Sequence, residues 1–237
     1  MHKSAINPVI RARYRAMKGG KEFAFAALDP QRTAHLVIDM QNGFVEEGSF
    51  LEVPEARNVV PNINAISKAM RSNGGMNLFL RFTTTSKSDW SVYFEQFQSE
   101  EFSTVEVDGF MAGSHGHDLY PTLEVLQDDH ILDKTRFSAF TPGSSSALEL
   151  LKAKGVDTVV ISGTLSDCCC AATARDAQQL GFRVIFVSDS NAALSDDEHN
   201  AALNSLAAWF ADIRTTAEVV QLVLQSEGAV KKADRTG

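Results

Sequence analysis

The sequence has few of the residues that cross-link, bind polyanions or span membranes. Of 237 residues only three are cysteine, and these are consecutive: Cys168, Cys169 and Cys170. With no other cysteine in the chain to pair with, a disulfide framework is excluded and a reducing, cytoplasmic compartment is expected. Positive charge is also scarce. The 22 Lys and Arg are outnumbered by 30 Asp and Glu, and a net charge of −8 excludes broad electrostatic capture of nucleic acid. No apolar run approaches the roughly 20 residues that a membrane-spanning helix needs. Met1 to Lys21 is basic but lacks a continuous apolar core, which argues against a secretory leader.

What is present suits a soluble globular protein with a real core: 44% hydrophobic and 22% charged residues. Residues 1–32 read as an N-terminal extension with a short basic helix over Val9–Lys18. Residues 33–225 read as one domain, and 226–237 as a flexible tail. Apolar runs of strand length recur at Ala34–Asp39, Met76–Phe82, His130–Lys134, Asp157–Ser162, Arg183–Val187 and from Ile213. Helical periodicity fills the gaps at Arg57–Ser72, Ser145–Lys154, Ala171–Leu180, Ser195–Phe210 and Thr216 to about Leu224. Strands alternating with helices predict a three-layer α/β/α fold around a mostly parallel six-stranded sheet. The stretch from Thr83 to Pro121 fits this pattern least. It is rich in Ser, Thr and aromatics, and is expected to carry one helix near Trp90–Gln98 and to supply a lid or substrate walls. Asp189–Leu194 reads as another loop.

Ligands of such sheets bind beyond the carboxyl ends of the strands. Three chemically useful groups fall there: Asp39 after the first strand, Lys134 at the end of the third, and the cysteine cluster after the fourth. A cysteine at a helix N-terminus meets unpaired N–H groups and the positive end of the helix dipole, which favours the nucleophilic thiolate. Three small side chains packed where helix meets sheet would account for the same residues. Asp39 could likewise cap the following loop, and Lys134 could form a surface ion pair.

Val37-Ile-Asp-Met-Gln-Asn-Gly-Phe44, Leu132-Asp-Lys-Thr-Arg-Phe-Ser-Ala-Phe140 and Gly163–Ala177 resemble, in that order, the three motifs of the isochorismatase-like cysteine hydrolases. The similarity covers about residues 30–225 and is closest to the amidohydrolase branch that acts on ureidoacrylate and N-carbamoylsarcosine. The resemblance places the nucleophile four residues before Thr173, at Cys169, with Asp39 as general base and Lys134 as its partner. It also implies a cis peptide bond at Thr164–Leu165 and an oxyanion hole from the N–H groups of Leu165 and Cys169. Cys168 and Cys170 are then packing residues. Ser166-Asp167 and Ala171 depart from the family pattern, where Thr-Asn and Glu are common.

Gln41, Arg81, Trp90, His117, Phe137 and Phe140 are candidate substrate-binding residues. Arg81 or Arg136 could hold a substrate carboxylate, or either could equally pair with a neighbouring Asp or Glu. His115, His117 and Asp118 could be read as a zinc site, but the Asp-x-His pattern of related nicotinamidases is missing around Trp90. The expectation is no metal and no cofactor. The activity implied is cleavage of a C–N bond in a small amide, ureido or carbamoyl compound through a thioester. Isochorismatase-type vinyl-ether hydrolysis and a catalytically silent scaffold are the alternatives. A homodimer or homotetramer is implied by the resemblance.

Overall fold

A computed structural model describes the backbone over residues 1–233 and side chains through residue 225. Six strands form the sheet: β1 (Thr33–Ile38), β2 (Met76–Phe82), β3 (His130–Lys134), β4 (Thr158–Thr164), β5 (Arg183–Ala192) and β6 (Asp212–Arg214). Their order is β3-β2-β1-β4-β5-β6, and every neighbouring pair is parallel. β1 and β4 are buried throughout. That is why their sequences read as unbroken apolar runs rather than alternating ones. The order reverses between β1 and β4, so a crevice opens above that pair.

The helices are α1 (Pro8–Met17), α2 (Asn42–Val45), α3 (Ala56–Ser72), α4 (Glu100–Gly109), α5 (Ala147–Ala153), α6 (Cys169–Gln179), α7 (Asp196–Trp209) and α8 (Thr216–Ala233). Ile66, Ala69 and Met70 of α3 pack with Val219, Leu222 and Val223 of α8 over one face of the sheet. Ala171, Ala174 and Ala177 of α6 and Leu203 and Leu206 of α7 pack on the other. None of the helices among the described residues is long and apolar enough to cross a membrane.

Several boundaries differ from expectation. α8 continues to Ala233 rather than stopping near Leu224; of the tail expected over 226–237, residues 234–237 lie outside the described residues. β5 continues to Ala192 through a stretch that reads as a polar loop. Its register against β4 shifts after Ile161, and pairing resumes at Gly163↔Asn191 and Thr164↔Ala192. The Asn191 amide spans the irregularity, donating to the carbonyls of Ile161 (2.9 Å) and Val187 (2.7 Å). Gly163 is obligatory at this place. It has φ +120°, and a Cβ there would collide with the Ile38 carbonyl of β1.

The N-terminal extension packs on its own body. Asp212 at the start of β6 receives Lys18 Nζ (2.7 Å) and the N–H groups of Ala24 and Phe25. His2 bonds Asp196 at the head of α7.

Candidate active site

Asp39, one residue past β1, is fully buried and is the sole non-glycine residue with positive φ (+53°) among those described. This left-handed turn is uncommon outside glycine, although Asp and Asn tolerate it best. It is fixed from the backbone outward, since the Asp39 N–H donates to the Leu80 carbonyl of β2 (2.9 Å). Gln41 locks the next turn: its amide donates to the carbonyls of Phe82 and His117 and accepts the Phe82 N–H at 2.7 Å.

Lys134, the last residue of β3, is also fully buried. Its Nζ lies 2.8 Å from Asp39 Oδ2 and donates to the Arg136 carbonyl at 3.1 Å. Neither Asp39 oxygen accepts a hydrogen bond of good geometry, so this carboxylate keeps acceptor capacity in a dry site. Burial pulls the lysine down, but the charges of Asp39 and Cys169 outweigh it and leave Lys134 above its ordinary value. Burial raises Asp39, against the pull of Lys134. Lys134 is therefore the proton holder of the pair, and Asp39 is the acceptor.

Cys169 is the first residue of α6, not a residue ahead of a helix starting at Ala171. It is buried and lines a pocket of about 420 Å³. The helix terminus predicts a thiolate, but the site works the other way. A hydrogen bond with Cys168 and burial together hold the Cys169 thiol well above the usual cysteine value, with Lys134 opposing. The resting form is the thiol, beside a carboxylate with a free acceptor position.

The peptide bond Thr164–Leu165 is cis. The turn that follows is tied down where the Cys168 and Cys170 N–H groups both donate to the Leu165 carbonyl. The Leu165 and Cys169 N–H groups have no acceptor among the described residues. Both residues line the pocket. Such a pair of vacant donors beside a pocket-lining thiol is an arrangement that a developing oxyanion would require. Ser166 steadies the turn from behind, its Oγ 2.7 Å from His199 Nδ1 and its N–H donating to Ala192 at 2.7 Å. Asp167 is exposed and is not among the pocket residues.

Of the expected substrate-binding residues, the structure brings only Phe137 to the pocket. Gln41 is buried and spent on the backbone, as above. Arg81 pairs with Asp133 at 2.7 Å, its register partner on the neighbouring strand. Arg136 donates to the Thr135 and Asp89 carbonyls and lies over the Trp90 ring. Trp90 itself packs behind Phe137 and Tyr93. Phe140 stacks on Phe182 inside the core. His117 is buried with Nε2 2.7 Å from Thr83 Oγ1, and burial lowers its pKa. His115 turns the other way, exposed against Glu46. Among the described residues no three His, Cys, Asp or Glu side chains cluster as metal ligands. Cys170 packs in the core as expected, whereas Cys168 faces the pocket.

Other pocket walls come partly from the segment expected to supply them, Thr83–Pro121, and partly from the unsuspected stretch after β1. Phe44 and Phe50 arrive from α2 and the loop after it, Tyr93 from a π-helical turn at Val92–Phe97, and Phe102 and Glu106 from α4. α4 went unseen because its ten residues carry no apolar stripe. Its one signal is Ser99, which accepts the Phe102 N–H as an N-cap.

The isochorismatase domain matches residues 33–218. A probable inactive nicotinamidase of Arabidopsis thaliana is 31% identical over 173 residues, covering 72% of this chain and 86% of that protein. The ureidoacrylate amidohydrolase RutB of Caulobacter vibrioides is 26% identical over 212 residues, covering 81% and 91%. A cysteine hydrolase from Pseudomonas syringae pv. phaseolicola superposes with a TM-score of 0.78 at 27% identity, covering 87% of this chain and 99% of that one. With the all-parallel sheet and the buried site at its strand ends, these matches show that the chain belongs to the isochorismatase family of hydrolases.

Proposed function

We propose that this protein hydrolyses the C–N bond of a small amide, ureido or carbamoyl compound, with Cys169 as nucleophile and Asp39 and Lys134 as its proton machinery. The observation that carries this reading is the fully buried Lys134–Asp39 ion pair next to a protonated, pocket-lining thiol. A buried ion pair is weakly stabilising at best, so its place beside a nucleophile speaks for chemistry rather than stability.

Asp39 accepts the Cys169 proton as sulfur attacks the carbonyl carbon. The oxyanion takes the vacant N–H groups of Leu165 and Cys169. Asp39 then returns the proton to the leaving nitrogen, the C–N bond breaks, and a thioester and free amine or ammonia result. Water, deprotonated by Asp39, cleaves the thioester; the acid leaves and the thiol is restored. Lys134 keeps its proton throughout and holds the carboxylate in place.

A relative named as probably inactive makes a silent scaffold the reading to test against. The test is ammonia release across linear amides, ureides and aromatic carboxamides. Release is expected for at least one class, with a drop of about 10⁴-fold or more in Cys169→Ala. Ammonia release undiminished in Cys169→Ala would remove the Cys169 thioester from the reaction, and no release from any class would overturn the proposal.

A further inference from the structure

The pocket carries more than a nucleophile. Its walls are largely apolar, with six aromatic rings, yet two carboxylates, Glu52 and Glu106, line it, and among the described residues no lysine or arginine does. Glu52 is already compensated. It pairs with Arg57 at 2.6 Å and accepts the Gly48 N–H at 2.8 Å.

Glu106 is not compensated. It is only 4% exposed, and its sole protein partner among the described residues is the Gln98 amide, which donates to Oε2 at 2.6 Å. The other acceptor at this place, Gln98 Oε1, is buried with no donor at all. Burial alone pushes the Glu106 carboxyl up, and no cation among the described residues acts on it. Tyr93 lines the same pocket as Glu106 and Cys169. Burial without a counter-charge favours the neutral carboxyl, and a cation brought into the site would stabilise the carboxylate in its place.

We propose that Glu106 is a specificity-determining residue that binds a cationic group on the substrate, distal to the scissile carbonyl. The substrate class is therefore a small amide or ureide ending in an ammonium or quaternary ammonium group. The aromatic walls suit such a group as well, because ring faces attract cations once water is excluded. Glu106 and Phe102 sit four residues apart on α4, so one helix face presents both the carboxylate and a ring. Anionic substrates are disfavoured twice, by Glu106 and by the engagement of Arg81 and Arg136 elsewhere.

This inference rests on the amide-hydrolase reading for the position of the scissile group, but its test does not require turnover. Three linear primary amides of equal length serve as probes, ending in trimethylammonium, in its neutral isostere tert-butyl, or in carboxylate. Binding is measured by calorimetry on Cys169→Ala, which leaves the probes intact. The trimethylammonium amide is expected to bind about tenfold to a hundredfold more tightly than the tert-butyl amide, and the carboxylate most weakly. In the double variant with Glu106→Gln the preference collapses to about one. If that variant does not fold, Glu106→Asp, which keeps the charge one methylene further away, must reduce the preference. Equal or inverted binding of the first two probes, a preference that survives Glu106→Gln, or no binding of any probe overturns the proposal. Tight, charge-selective binding with no cleavage by the unsubstituted protein would sink the amidase reading and leave the cation site standing. Cleavage without charge preference would do the reverse.

Discussion

The strand ends and the segment from 83 to 121 both reach one pocket, Leu165 and Cys169 from the first and Tyr93, Phe102 and Glu106 from the second, and they are built by different means. At the strand ends the charges are buried, paired and set by backbone hydrogen bonds: Asp39 on Leu80, Lys134 on Arg136, the cysteine turn on Leu165 and Ala192. In the segment the walls are aromatic rings on a π-helical turn and a helix of low amphipathicity, and Phe97 and Phe102 remain exposed. The first region has one permitted arrangement, because a shift of any strand would strand a charge in the core. The second can change its side chains without disturbing the sheet. The proposed chemistry is therefore lodged in the scaffold and the proposed selectivity in the segment from 83 to 121.

Substitutions should separate the two regions sharply. Lys134→Met leaves the Asp39 carboxylate buried without its cation, so both activity and fold should suffer. A loss of about 3–5 kcal/mol in denaturant unfolding is expected, with activity near background. A melt unchanged from the parent would break the contrast. Asp39→Asn keeps the shape but cannot take a proton, and kcat should fall about 10³-fold with KM little moved. At the pocket wall just past β3, Phe137→Ala should act mainly on KM, by about tenfold, as lost apolar contact with bound substrate. An equal fall in kcat would place Phe137 with the chemistry.

Two smaller effects follow from titration. Because hydrogen bonding with Cys168 and burial raise the Cys169 thiol, alkylation by iodoacetamide should climb steadily through alkaline pH. Cys168→Ala removes the first of these, so the same profile should shift to lower pH; an unmoved profile would show that Cys168 only packs. His35, buried between Ser67 and Ser162, is depressed from 6.5 to about 3. The unfolded chain binds a proton there below pH 6.5 and the folded protein does not, so stability is lost as pH falls from 6.5 towards 3. His35→Gln should flatten that decline in acid-unfolding curves.

How much of this was legible beforehand depended on which kind of order each residue obeys. β1, β2 and β4 are buried on both faces, so their composition alone marks them, and the groups at their ends follow from the rule for parallel sheets. The resemblance singled out Cys169 among three cysteines, and the structure places it at the pocket with Asp39 and Lys134 beneath. For Arg81 the sequence leaves a substrate carboxylate and a neighbouring acid equally open, and the β2–β3 register decides for Asp133. Phe140 and Trp90 were misjudged because an aromatic ring serves core and pocket equally well. β5 beyond Val187 was hidden by four polar residues whose ladder depends on the Asn191 side chain. Glu106 had no sequence signal at all. Its significance comes from what is missing around it, which only packing reveals.

The account turns on a covalent step at the strand ends that is indifferent to what the walls select. Two amides sharing one acyl group but differing in the leaving amine should pass through the same Cys169 thioester. With hydroxylamine added as a competing nucleophile, both should give acid and hydroxamate in the same ratio, and Cys169→Ala should give neither. A ratio that depends on the leaving amine, or turnover with no hydroxamate at any hydroxylamine concentration, would contradict it.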